Sequence, residues 1–354
     1  MDTTTASTRT SEASRARRIG FYVLLVLFTL MHAFLSPLPF AVLGLFVEVE
    51  PGGVSHRLHE IIFGWVFVLS IVGLVVHVRR PQEKVAGMYQ VMIAIWLIAA
   101  ATLVVDRLVD PVVLIFLVMP ALLLILHPGR ARLLRPSIAP SKVLVGLTVV
   151  AAVPLLFYSF AEFRIGLEAS RIAPEIFEDL DEDSTDDEFN EAARAGTSTN
   201  EEFEQVQHYG HWSAMGAFAL IVVGLSAVAS LRVPDWRLAA WSTGLSAILY
   251  GGASSTFPGD ASAANGIWAA LAIAWGTAFI VAAERAKRES TPANPADLQG
   301  RVNSRGAKRQ PDVTAPRSAG EGVPSEGAIP DLRFLNHRLS VGQIRRGPIV
   351  DLLP

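Results

Sequence analysis

Apolar residues in this chain come in runs of about twenty, each long enough to cross roughly 30 Å of hydrocarbon as a helix. The first runs from Ile19 to Val47, behind Arg15, Arg17 and Arg18, with Pro37 and Pro39 predicting a kink or an early end. The following runs are His56–Val78, Val85–Val105, Pro111–Leu126, Val143–Phe160, His208–Leu231, Leu238–Phe257 and Gly266–Ala283. Strands of a membrane barrel would alternate with period two, and these runs do not. The pattern predicts an all-α membrane protein with eight transmembrane helices. The first run is too long for a signal-peptide core and lacks a small-residue cleavage site, so it reads as a retained anchor.

The polar stretches between the runs set the remaining organisation. Residues 1–14, rich in Thr, Ser and Ala, are expected to be disordered. Residues 162–207 form an acidic insert whose default reading is an exposed, disordered loop. The tail, residues 284–354, is rich in Pro, Gly, Ser and Arg and buries too little apolar surface to fold alone. Its last part, with Leu332, Phe334, Leu335 and Ile344, is a candidate docking segment for a protein partner.

Basic residues flank alternate ends of the runs: before the first, between the second and third, fourth and fifth, sixth and seventh, and after the eighth. The positive-inside rule makes these ends cytoplasmic. Both termini are then cytoplasmic, in a plasma (inner) membrane protein, and the acidic insert lies outside.

The second and sixth runs align. His56 and His59 fall on His208 and His211, and Gly64 falls on Gly216 in the same register. Pro81, Lys84 and Ala86 match Pro234, Arg237 and Ala239 after a one-residue slip. This predicts two tandem four-helix units, residues 15–140 and 141–283. With an even number of spans each, they would be related by a pseudo-two-fold axis along the membrane normal.

Composition agrees: 51% of residues are hydrophobic and only 18% charged, too apolar a balance for a soluble chain of this length. The absence of cysteine excludes disulfides, thiolate metal sites and iron–sulfur clusters. A net charge of −3 decides little, because the charges are partitioned along the chain.

The chemistry-bearing candidates are the two histidine pairs. Residues three apart on a helix share a face, so His56 with His59 and His208 with His211 form two like-facing pairs on the outer side. A pseudo-two-fold axis would bring four imidazoles towards one centre, suited to zinc, copper, iron or haem iron. His32 lies in the same half of the bilayer, and Glu60 and Glu204 offer oxygen ligands. Asp106, Glu162 and Asp260 also lie at outer helix ends. Set against this is the reading of solvated or structural histidines near the interface. His77 reads as an interfacial residue at the cytoplasmic end of its helix.

His56-Arg57-Leu58 at the start of the second span, the eight spans and the two four-helix units resemble the haem A synthase family. That resemblance implies haem held by histidines near the outer side of each bundle, with His56 and either His208 or His211 as ligands here. The chain departs from that family in having no histidine on its eighth span, in placing His127 at the cytoplasmic end of its fourth, and in lacking the cysteine pair of many members.

Two other classes remain open: a non-catalytic scaffold that recruits partners through insert and tail, and a small-molecule transporter. Gly244, Ser246, Gly251, Gly252, Ala253, Ser254 and Ser255 on the seventh span allow close packing or a cavity. Transport is opposed by the near absence of ionisable residues near the midplane, where Gln90 is the chief polar side chain. Asp179-x-Asp181-x-Asp183 mimics the start of a calcium loop, but Ser184 and Asn190 stand where the turn glycine and closing glutamate belong. No phosphate loop, nucleophile elbow or HExxH motif occurs, and nucleic-acid binding has no support beyond dispersed arginines.

Overall fold

The computed structural model describes residues 3–34, 57–107, 109–176, 178, 186–207 and 210–290. The readings made on Pro37, Pro39, His56, Asp179, Asp181, Asp183, His208 and the tail beyond residue 290 lie outside the described residues. All secondary structure among the described residues is helical.

The long helices are α1 (Thr3–Phe34), α2 (Arg57–Val75), α3 (Val85–Ala101), α4 (Pro111–Leu126), α6 (Lys142–Ile176), α9 (His211–Ser230), α10 (Arg237–Thr256) and α11 (Gly266–Ser290). Shorter ones are α5 (Arg130–Leu134), α7 (Asp186–Gly196) and α8 (Asn200–Gln207). Six segments are long and apolar enough to cross a membrane: Arg15–Phe34, Arg57–Val78, Val85–Asp106, Lys142–Ile176, His211–Ser230 and Gly266–Arg288. α4 is apolar throughout but has 16 residues. α10 has 20 residues, and its glycines, serines and threonines dilute its hydropathy.

Neighbouring long helices alternate in direction. The end of α9 and the turn after it hydrogen-bond the starts of α6 and α3, through Ser141 N–H to Ser230 O at 2.9 Å and Ala86 N–H to Pro234 O at 3.1 Å. Arg237 at the start of α10 pairs with Glu284 near the end of α11 at 2.6 Å. Lys84 and Asp235 join the turn before α3 to the turn before α10 at 3.1 Å. All the basic flanks counted in the sequence therefore fall at one end of the bundle.

The helices close two rings of contact, α1–α2–α3–α4 and α6–α9–α10–α11, and meet where α2 and α3 pack on α9 and α10. Apolar packing forms two stacked layers. One, at the basic end, includes Phe21, Leu74, Met88, Leu123, Leu144, Val233 and Phe279. The other, at the opposite end, includes Leu58, Ile62, Phe218, Ile221 and Ala253. Close backbone approach sets the spacing within each ring. A Cβ on Gly73 of α2 would lie 2.8 Å from Gly87 O of α3. A Cβ on Gly276 of α11 would lie 2.4 Å from Gly244 O of α10. Small residues let helices approach this closely in lipid.

Two elements differ from the sequence expectation. Residues 3–14, expected to be disordered, continue α1; they hold neither Pro nor Gly, and a helix already nucleated in the apolar run extends cheaply. The fifth run does not stop at Phe160: α6 continues to Ile176. Its buried residues there, Glu162, Gly166, Ala169, Ser170 and Ala173, keep helical spacing after the hydropathy has fallen.

Part of the insert is also ordered. α7 and α8 fold back on this extension, with Ala193, Val206 and Phe203 packed on Ala173, Ile172 and Ile176. The Thr199 hydroxyl caps α8 by accepting the Glu202 N–H at 3.1 Å, and the Glu202 carboxylate reaches back to the Ser198 N–H at 2.8 Å. This is a variant of the capping box.

Candidate functional site

At the end opposite the basic flanks, α2 starts with a side-chain cap from a distant link. Leu58 N–H donates to Asp260 Oδ2 at 3.0 Å, supplying an acceptor for a first-turn amide that has none within the helix. Arg57 lies over the Phe257 ring at 5.5 Å. These contacts hold the start of α2 against the α10–α11 link.

One residue further, His59 is 2% exposed, and its ring centroid lies 5.3 Å from that of His211, with the planes 18° apart. Trp212 stands edge-on to His59 at 5.7 Å. The two histidines that align between the second and sixth runs are thus neighbours.

A hydrogen-bonded chain runs from His59 into the protein. His59 Nε2 lies 3.0 Å from Ser262 Oγ, and the Ser262 hydroxyl donates to Glu162 Oε2 at 2.8 Å. With its single proton directed at Glu162, the hydroxyl accepts from His59, so Nε2 is the protonated ring nitrogen. Tyr158 and Tyr250 both donate to the Ser262 carbonyl, at 3.1 and 2.9 Å. Ser262 is held at φ 63°, in the left-handed region that L residues other than Gly, Asn and Asp seldom visit. Four side chains, His59 of α2, Tyr158 and Glu162 of α6 and Tyr250 of α10, therefore converge on Ser262 in the α10–α11 link.

Beside this chain, α3 ends in a π-helical turn, Thr102–Asp106, that carries Asp106 into the interior. The Ser213 hydroxyl of α9 meets Asp106 Oδ2 at 2.5 Å and the Gly210 carbonyl at 3.0 Å. Local π-turns commonly re-aim a side chain at a functional position.

Of the residues singled out by sequence, His59 and His211 are brought together. His32 is not part of this group: it is ringed by Phe28, Phe67 and Phe116, and its Nδ1 donates to Phe28 O at 2.8 Å. Glu60 follows His59 on α2 and is half-buried. The side chain of Glu204 lies outside the described residues, like His56 and His208. Among the described residues, no group of three or more His, Asp or Glu side chains is placed to hold a metal ion. Ser262, Tyr158 and Tyr250 were missed by sequence reasoning. Only the acids around them, Glu162 and Asp260, carried a signal, by their position at outer helix ends.

Compared with protein-family models, curated proteins and solved structures, the chain matches none.

Proposed function

We propose that this chain is an eight-span integral membrane protein of two tandem four-helix units that binds a transition-metal ion at its outer histidine cluster. Counting α4 and α10 with the six apolar segments is supported by the alternating direction of all eight long helices. The tandem reading is supported by the matching rings α1–α2–α3–α4 and α6–α9–α10–α11, in which equivalent helices, the second and third of each ring, form the seam. The basic flanks at one end support a plasma-membrane protein with both termini cytoplasmic.

The observation that carries the metal reading is the His59–His211 pair, with His59 anchored through Ser262 to Glu162. A metal–nitrogen bond of about 2 Å puts two imidazole centroids roughly 5 Å apart around a tetrahedral ion. The observed separation is 5.3 Å. Metal-binding histidines almost always donate their other ring N–H to an oxygen partner that fixes ring and tautomer. His59 has that arrangement at Nε2. His56 and His208, three residues before each of the pair, and Glu60 are the proposed further ligands.

A porphyrin between His59 and His211 is disfavoured, because the rings already touch and Trp212 stands against His59. The likeness to the haem A synthase family then lies in topology and histidine position. Transport is disfavoured as well. Gln90, the chief polar side chain deep in the helices, is committed to packing: its amide donates to Leu69 O at 2.7 Å and its carbonyl accepts from Ser242 at 2.8 Å.

The test is metal content and Co(II) or Cu(II) titration of the protein purified in detergent. One equivalent of tightly bound metal is expected, and it should be lost in His59→Ala/His211→Ala while the helical circular dichroism is kept. No stoichiometric metal in the wild type would overturn the proposal. A Soret band would overturn it in favour of haem.

A further inference from the structure

The basic end of the bundle holds another histidine pair that takes no part in the outer cluster. His77 lies in the 3-10 turn after α2 and His127 directly follows α4; both are fully buried. Their ring centroids are 5.4 Å apart with the planes at 86°, and Phe21 of α1 packs edge-on against each. Two glycines make room for the rings. A Cβ at Gly87 would lie 3.0 Å from His77 Cε1, and one at Gly129 would lie 3.3 Å from His127 Cε1.

The backbone fixes the proton on each ring. His77 Nδ1 lies 2.6 Å from Gly73 O, which only accepts, so this nitrogen carries the proton. His127 Nδ1 receives the Gly129 N–H at 3.0 Å, so this nitrogen is bare. With Nδ1 accepting, the His127 ring holds a single proton and is neutral. In the neutral pair, the far nitrogens are then complementary: His77 Nε2 is an acceptor and His127 Nε2–H is a donor. Both Nε2 atoms are buried without a hydrogen-bond partner. Leaving a buried donor and a buried acceptor unpaired is costly, because each has given up its hydrogen bond to water on burial.

A metal ion does not fit this pair. Coordination through His127 Nε2 would require removing the Nε2 proton while Nδ1 stays bare, which makes an imidazolate in an apolar setting. A ligand matching one donor and one acceptor must itself accept and donate, and two fully buried rings in contact admit only a very small one. We infer that His77 and His127 form a hydration site, in which one water molecule donates to His77 Nε2 and accepts from His127 Nε2–H. Buried waters usually make about three hydrogen bonds. The backbone of Pro81 lies beside the His127 ring and that of Lys84 beside the His77 ring. The water links the ends of α2 and α4, which these side chains do not join directly.

The experiment uses the full chain, 15N-histidine labelled, in lipid nanodiscs near neutral pH, with His77→Phe and His127→Phe used to assign the two rings. The expected spectrum shows opposite tautomers, with the proton on Nδ1 of His77 and on Nε2 of His127, and magnetisation transfer from water to the His127 Nε2 proton. The same tautomer in both rings would overturn the inference. So would a His127 Nε2 proton with no transfer from water, or a metal ion that shifts both Nε2 resonances stoichiometrically. The decisive measurement is made on the wild type, and one assigning variant suffices if the other fails to fold.

Discussion

Replacing Gly276 by alanine tests the packing of the second ring. A Cβ there would stand 2.4 Å from the Gly244 carbonyl oxygen, 3.0 Å from Ile248 Cγ1 and 3.1 Å from Ala247 Cβ. The carbonyl belongs to the backbone of α10 and cannot rotate aside. Ordinary contact begins at 3.4 Å, so α10 and α11 must part by about 1 Å at this point. Overpacking of this kind costs about 1–3 kcal/mol. Alanine returns about 1 kcal/mol through its helix propensity, which leaves a net loss of roughly 0–2 kcal/mol and a deficit of about 1–3 kcal/mol against an unobstructed Gly→Ala change. Gly252→Ala, on the same helix as Gly244, is the control. No atom lies within 4 Å of its Cβ position, so it should be neutral or stabilising by up to about 1 kcal/mol. The assay is equilibrium unfolding by SDS in mixed micelles, followed by circular dichroism. If Gly276→Ala is as stable as Gly252→Ala, the two backbones are not in contact there and the reasoning is wrong.

Two further outcomes follow from the site and the insert. Ser262→Ala removes the hydroxyl between His59 and Glu162 and should destabilise by about 1–3 kcal/mol. Ser262→Gly loses the same hydroxyl but accepts φ 63° without strain, so it should be roughly 1 kcal/mol more stable than the alanine variant in the same SDS titration. In the insert, hydrogen bonds from Ser198 hold the Glu202 pKa below its usual value of 4.5. A group depressed in the folded state contributes stability above its unfolded pKa and loses it as pH falls through the folded one. Amide exchange in α8, corrected for intrinsic rate, should therefore quicken below about pH 4.5, and Glu202→Gln should flatten this dependence. A flat wild-type profile would refute the cap.

Individual elements show how far local pattern reaches. α4 occupies Pro111–Leu126 as expected, because Asp110 accepts the Val112 N–H at 2.6 Å and Pro111 takes the first helical position, both readable in sequence. α6 outran its expected end because hydropathy marks contact with lipid, whereas residues 162–176 are helical through contact with α7, α8 and α9. The histidine pairs were legible as matching positions of two apolar runs, and His59 does meet His211. His32, equally apolar in its surroundings along the chain, sits apart in an aromatic shell. Nothing local marks Ser262, whose role comes from the four side chains that reach it.

By itself the sequence determined the helical class and the position of the charged ends. Lipid requires each backbone to satisfy its own hydrogen bonds, and arginine-rich flanks take one side, so both properties are written into single segments. The tertiary structure decided which helices adjoin, which histidines form pairs, and which backbone groups set their tautomers. Those depend on approaches of a few ångströms between residues far apart in the chain, set by glycines and helix crossings rather than by the hydropathy of any one run.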